Sequence, residues 1–263
     1  SYNFVGNDGP VFGFMSDLNA PPGKVIAIDS RNPERARWNV IIPEAKDTLR
    51  SVEVVNHQFI ASYMQDAKSA VSIFDIDGKK VRDLPLPGIG TAGGFTGKPK
   101  DAETFYAFTS FTAPGSIYRY DLRSGESSIF RAPNLKYDPS QYETEQVFYN
   151  SKDGTRVPMF LVHKKGVKFD GQNPTLLYAY GGFNISLTPS FSVSTIAAIF
   201  GFQDLLKSIL GGAFLIVERP YQVFVIVRMI DSADAEVGLL ARFLVAVEQD
   251  FFLAALAGFP KIS

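Results

Sequence analysis

The 263-residue sequence predicts a β-propeller fragment of about three four-stranded blades, followed by the start of an α/β domain. The first observation is an internal repeat of about 46 residues, in which apolar-rich strands end at Asp29, Asp75 and Asp121. The second is a change of pattern near residue 138, after which predicted strands alternate with helices. Four short strands per repeat are typical of propeller blades, whereas strand and helix alternation indicates a partly parallel sheet.

Each predicted blade contains four strands separated by Asn-, Gly- or Pro-containing turns. The predicted strands are 4–5, 11–15, 25–29 and 38–42 in the first blade, 51–55, 59–63, 71–75 and 81–86 in the second, and 93–96, 104–108, 117–121 and 128–131 in the third. A closed propeller needs roughly four to eight blades, so we expect the missing blades to lie outside this sequence. An open stack of antiparallel sheets is the alternative.

The repeat ends in a polar, Pro-containing stretch at 134–140, where we place the domain boundary. The predicted domains are therefore 1–138 and 139–263. The second domain has predicted strands at 142–149, 157–163, 175–180, 213–217 and 223–227, and predicted helices at 192–210 and 233–256.

Composition excludes several classes of function. The 26 Lys and Arg residues balance 27 Asp and Glu residues, so the chain lacks the basic field that nucleic acid or an anionic membrane would require. Charged residues interrupt each long apolar stretch, and we expect no membrane span or secretory signal. The absence of Cys excludes a thiolate nucleophile and favours a cytoplasmic protein.

Any histidine-dependent metal site or catalysis must use the only two histidines, His57 and His163. His57 falls in a predicted hairpin and His163 ends a predicted strand beside two lysines, and neither has a recognisable nucleophile and orienting carboxylate. We expect no metal site and no cofactor. The Gly-x-Gly-x-x-Gly match at 88–93 follows two prolines and opens no helix, which favours a loop over a dinucleotide site.

The candidate functional segment is 176–184, Leu-Leu-Tyr-Ala-Tyr-Gly-Gly-Phe-Asn. Two glycines directly after a buried strand allow a tight turn at the carboxyl end of a sheet, where ligands commonly bind. The hydroxyl of Tyr180 could there donate a hydrogen bond to negative charge developing on an acyl oxygen. The alternative is a tyrosine packed before a loop.

Four strings carry a resemblance to a known family: FYAFTSFTAPGSIY at 105–118, QVFYNSKDGT at 146–155, PMFLVHKKG at 158–166 and YGGFNIS at 180–186. They closely resemble prolyl oligopeptidases, and the resemblance runs from about residue 2 to about residue 193. It implies a serine peptidase with a seven-bladed propeller over an α/β-hydrolase domain. Such an enzyme cleaves short proline-containing peptides after proline, without a cofactor. The resemblance also implies that Tyr180 supplies an oxyanion-hole hydroxyl and that Phe183 lines the substrate pocket.

The carboxyl-terminal part departs from the family. The sequence diverges from about residue 195, and nothing after Arg219 resembles it. A hydrolase of this class needs a serine on a Gly-x-Ser-x-Gly turn, and the sequence contains no such motif. The nucleophile, the aspartate and the histidine of the triad are thus missing, and we expect the chain itself to be inactive. The alternatives are a non-catalytic peptide- or protein-binding module, either a pseudoenzyme or a truncated isoform, and a frameshifted product without a function.

Overall fold

The computed structural model describes residues 1–170, 175–180, 186–192 and 224–229. These residues form four four-stranded sheets. The chain divides into two compact units. Ser1–Asp138 and Thr188–Phe191 belong to the first unit, and Pro139–Leu187 belongs to the second.

The first unit contains three antiparallel sheets, each made of four strands that follow one another in the chain. The strands are β1 Tyr2–Asp8, β2 Val11–Ser16, β3 Lys24–Asp29, β4 Asn39–Ile42, β5 Thr48–Val55, β6 Gln58–Gln65, β7 Lys68–Asp75, β8 Lys80–Asp83, β9 Thr91–Thr96, β10 Glu103–Thr109, β11 Ser116–Asp121 and β12 Ser127–Arg131. A short 3-10 helix, Arg35–Arg37, precedes β4. The prediction of three four-stranded propeller blades is confirmed.

The predicted strand 81–86 was too long at its carboxyl end. The strand β8 ends at Asp83, and the backbone N–H of the next residue, Leu84, donates to the carbonyl oxygen of Val71. Pro85 follows and has no N–H to continue the ladder, which explains why the strand stops here.

The aspartates of the 46-residue repeat close the turn between the third and fourth strands of each sheet. The Oδ1 atoms of Asp29, Asp75 and Asp121 each accept a hydrogen bond from the backbone N–H two residues later, at 2.9, 3.1 and 2.8 Å. These are Asx turns, in which a short carboxylate substitutes for a backbone acceptor. The aspartate therefore repeats because each blade needs this turn between its third and fourth strands.

The middle sheet of the first unit, β5 to β8, is buried on both faces. Alternate residues of β6 point to opposite sides, so Phe59 and Ala61 pack with the first sheet while Ile60 packs with the third. In β7, Phe74 and Ile73 divide in the same way. Strand contacts join β1 to β5 and β5 to β9. Burial on both faces explains why β6 is almost continuously apolar.

The second unit contains a mixed sheet of order β13-β14-β16-β15. Its strands are β13 Tyr142–Asn150, β14 Arg156–Lys164, β15 Thr175–Tyr180 and β16 Phe224–Met229, and a 3-10 helix, Pro139–Gln141, precedes β13. The first two strands form an antiparallel hairpin, and β15 runs parallel to β16. The four predicted strands at these places are confirmed. The predicted strand 213–217 and helix 233–256, and all but the first residue of the predicted helix 192–210, lie outside the described residues.

The described part of the chain contains no helix that is long and apolar enough to cross a membrane.

Candidate functional site

The strand β15 ends at Tyr180, the residue that the sequence singles out. Parallel pairing places Tyr180 opposite Met229, so the carboxyl ends of β15 and β16 meet at one edge of the sheet. This is the edge of parallel strands at which α/β proteins place their ligands. Phe183, the other candidate residue, lies outside the described residues.

The segment Thr188–Phe191, which follows the candidate site in the chain, is held by the third sheet of the first unit. Thr91 Oγ1 donates a 2.7 Å hydrogen bond to the carbonyl oxygen of Pro189, and the N–H of Phe191 donates to Thr109 Oγ1 at 3.2 Å. The rings of Phe191 and Tyr137 are nearly parallel, with centroids 6.4 Å apart. The sequence does not predict this attachment, because Thr91 and Thr109 belong to no motif and only the folded structure brings the segment to them.

The two histidines lie in different units. His57 is exposed in the β5–β6 turn, where its φ of 55° is the left-handed conformation that two-residue hairpin turns require. His163, in contrast, is 2% exposed on β14. Its Nε2 lies 3.7 Å from Glu143 Oε1 and 3.5 Å from Glu145 Oε1. The sequence alone does not reveal these two carboxylates as neighbours of the histidine, because only the β13–β14 register brings the three residues together.

The glycine-rich segment 88–93 has a packing role. Strand β9 begins at Thr91 and contains Gly93, so the segment enters a strand where a dinucleotide site would have a helix. A Cβ added to Gly90 would lie 2.2 Å from Cζ of Phe108. Only glycine therefore allows the backbone to approach this buried ring.

The three sheets of the first unit and the mixed sheet of the second define a protein with a β-propeller part and a separate part that contains parallel strands. Residues 1–133 match the family model described as the prolyl oligopeptidase N-terminal β-propeller domain. The chain belongs to the prolyl oligopeptidase family.

Curated relatives agree with this family. The chain is 44% identical over 189 residues to a prolyl endopeptidase of Elizabethkingia miricola, and 41% identical over 191 residues to one of Elizabethkingia meningoseptica. These matches cover 72% and 73% of this chain. The chain spans only 27% of the length of either relative.

Solved structures show the same fold. A structure from a study of two prolyl endopeptidases matches with a TM-score of 0.71 and 34% identity, covering 90% of this chain and 33% of that chain. Prolyl oligopeptidase B from Galerina marginata, bound to a 25mer macrocyclization substrate, matches with a TM-score of 0.70 and 31% identity. That match covers 88% of this chain and 30% of the other.

Proposed function

We propose that this chain carries part of a serine peptidase that hydrolyses short peptides after proline. The observation that carries the proposal is the family match over residues 1–133, together with relatives that are prolyl endopeptidases. The second unit would then be the beginning of an α/β-hydrolase domain, and residues 139–263 would belong to that domain. The parallel pair β15 and β16 supports this assignment, because such domains are built on parallel strands.

Tyr180 is the proposed oxyanion-hole donor. Its place at the carboxyl end of β15 supports the role, because the glycines that follow allow the chain to turn at the sheet edge. When a nucleophile adds to a peptide carbonyl, the oxygen gains negative charge, and a hydroxyl placed about 3 Å away stabilises that charge more than it stabilises the ground state. Phe183 is the proposed apolar wall of the pocket that receives the proline-containing substrate.

The chain alone lacks a way to start this reaction. Its sequence contains no Gly-x-Ser-x-Gly turn, so a serine activated in the manner of this family is missing. An oxyanion donor without a nucleophile has no tetrahedral intermediate to stabilise. We therefore propose that the isolated chain is catalytically inactive.

Two measurements on the purified full chain test this proposal. We expect no hydrolysis of a fluorogenic proline-containing dipeptide and no labelling by a fluorophosphonate serine probe, with a full-length prolyl endopeptidase as the positive control. Labelling that disappears after heat denaturation would contradict inactivity. Turnover with cleavage after a residue other than proline would contradict the proposed substrate class.

A non-catalytic peptide- or protein-binding module is the second candidate. It is favoured by large apolar side chains on the first and third sheets that remain exposed, namely Phe4 at 59%, Ile129 at 63% and Phe130 at 64%. Exposed apolar groups of this kind mark interaction surfaces. Saturable binding of a labelled proline-containing peptide, weakened by Phe4→Ser or Phe130→Ser, would support this second function. Binding that neither substitution changes would count against it.

A further inference from the structure

Glu143, Glu145 and His163 form a cluster on one face of the β13–β14 hairpin. Glu143 and His163 are direct cross-strand partners, and directly opposed residues in an antiparallel pair project to the same side. Glu145 is two residues further along β13 and so shares that face. One ligand atom from each residue lies within 4.8 Å of the others. The backbone register therefore brings a nitrogen and two carboxylate oxygens together.

The hydrogen bond at the other ring nitrogen fixes the orientation and tautomer of His163. Its Nδ1 lies 3.0 Å from the carbonyl oxygen of Lys164. A carbonyl only accepts, so Nδ1 carries the hydrogen and the neutral ring has its lone pair on Nε2. That lone pair faces the carboxylates of Glu143 and Glu145. A backbone carbonyl that holds Nδ1–H is one of the common outer partners of a metal-binding histidine.

The distances fit a small divalent cation. Nε2 lies 3.5 and 3.7 Å from the two Oε1 atoms. Ligands about 2.0 to 2.1 Å from a tetrahedral Zn²⁺ are separated by about 3.3 to 3.4 Å, so these two distances need only small side-chain adjustments. Two carboxylates and a neutral imidazole carry two negative charges, which a divalent cation neutralises.

The cluster is buried on the side of His163 and open to solvent on the side of the two glutamates. The imidazole is 2% exposed, and the ring of Phe169 contacts it edge-on with centroids 5.2 Å apart. The side chains of Glu143 and Glu145 are 40% and 47% exposed. An ion can therefore enter from solvent past the carboxylates and reach a nitrogen that the protein holds in place.

We propose that Glu143, Glu145 and His163 bind one divalent transition-metal ion of the Zn²⁺ type, with water completing the coordination. Nitrogen and carboxylate ligands in this combination suit Zn²⁺ better than Ca²⁺ or Mg²⁺, which prefer oxygen ligands alone. The bound ion joins β13 to β14 and stabilises the hairpin, because it binds the folded pair of strands and not the separated ones. This site is independent of the proposed peptidase activity.

Isothermal titration of the metal-free full chain with Zn²⁺ tests the proposal, and Co²⁺ absorption reports the coordination geometry. We expect one ion per chain and an intense visible Co²⁺ band that is typical of four-coordinate sites. Glu145→Gln should weaken Zn²⁺ binding by at least about tenfold, since even the outer partners of metal ligands contribute about 10- to 100-fold to affinity. His163→Gln should abolish the Co²⁺ band.

His57→Gln is the matched control, because it removes the only other histidine and should leave the affinity unchanged. Glu145 is half-exposed, so Glu145→Gln remains a valid test if His163→Gln fails to fold. No Zn²⁺ binding by the parent chain, equal affinity in Glu145→Gln, or loss of binding in His57→Gln would each overturn the proposal.

Discussion

Arg82 and Tyr120 join two neighbouring sheets of the first unit. Nε of Arg82, in β8, donates a 2.9 Å hydrogen bond to the hydroxyl of Tyr120, in β11. The guanidinium also donates to the carbonyl oxygen of Leu122, and its central carbon lies 5.9 Å from the centre of the Tyr120 ring. Tyr120 is fully buried. The edge strand of the second sheet is thus tied to the interior of the third.

Tyr120→Phe should lower the free energy of unfolding of the first unit by about 1 kcal/mol, because the ring stays packed while a hydrogen bond to a charged donor is lost. Urea denaturation followed by fluorescence measures this change. Tyr2→Phe, at a tyrosine that is 49% exposed, is the matched control and should change stability by less than about 0.5 kcal/mol. Equal effects of the two substitutions would show that the Arg82 contact contributes nothing.

Gly78→Ala should be strongly destabilising for two reasons. Gly78 has a φ of +83°, and an added Cβ would lie 2.0 Å from the carbonyl oxygen of Ile41 in the neighbouring sheet. Gly9→Ala separates the two effects, since Gly9 has a φ of +53° with nothing within 4 Å of the added atom. We expect about 1 to 2 kcal/mol for Gly9→Ala from the left-handed conformation alone, and a clearly larger loss for Gly78→Ala. Thermal unfolding of both variants measures the difference.

Stability should fall as the pH drops from about 4 towards 2. Hydrogen bonds from the Arg31 side chain and backbone lower the pKa of Asp29 to about 2, and backbone N–H groups of Ser124 and Arg123 lower the pKa of Asp121. A pKa that is lower in the folded state means that ionisation favours folding above the unfolded value near 3.8, and that this contribution is lost as the carboxylate is protonated. Denaturation midpoints measured from pH 5 to pH 2 should show this decline.

Asp29→Asn should make that decline shallower. Its amide oxygen can still accept the backbone N–H of Arg31, so the turn is retained while the titrating charge is removed. Asp8→Asn, at an exposed carboxylate of the same sheet, is the control. An unchanged pH dependence in Asp29→Asn would contradict the assigned role of Asp29.

Thr109→Val should loosen the attachment of the segment Thr188–Phe191. The N–H of Phe191 loses its acceptor, and hydrogen exchange of the segment should accelerate about fivefold, as expected for about 1 kcal/mol. Exchange followed by mass spectrometry measures this effect. Thr48→Val, at an exposed strand position, should leave the exchange unchanged. Equal exchange in both variants would argue against the attachment.

Tyr180→Phe tests the proposed oxyanion role in a chimera that restores the family's carboxyl-terminal catalytic part. We expect kcat to fall by roughly 10- to 1000-fold, or about 1.4 to 4 kcal/mol, with little change in KM, because the hydroxyl acts in the transition state. Tyr178→Phe, two residues earlier in β15, is the matched control and should retain kcat. A normal kcat in Tyr180→Phe would contradict the oxyanion role and indicate that this tyrosine only packs before the loop.

The strands could be predicted from the sequence because the patterns that indicate them are local. Alternation, apolar runs and turn residues identify β6 and β7 without reference to any other strand. The equally spaced aspartates Asp29, Asp75 and Asp121 were visible as a repeat, and their turn geometry explains it.

Contacts between residues that are distant in the chain could not be predicted from the sequence. Glu143 and Glu145 share a face by spacing, but only the hairpin register places His163 opposite Glu143. The predicted strands 142–149 and 157–163 flank the turn at Gly154 and so indicated this hairpin, but they did not fix its register, and a shift of one residue would have moved the histidine to the other face. The hydrogen bond between Phe191 and Thr109 could not be predicted either, because no sequence pattern in either segment indicates it.

The strand order also sets an order of assembly during synthesis. Every pairing in the first unit joins strands that are consecutive in the chain, so short loops close these sheets rapidly. In contrast, Val162 of β14 pairs with Val225 of β16, about 60 residues later. As the chain leaves the ribosome, the propeller sheets can be complete while β15 still lacks its neighbour β16. During that interval the unpaired edge of β15 is open to other nascent chains, so slow translation between β15 and β16 would raise the risk of aggregation.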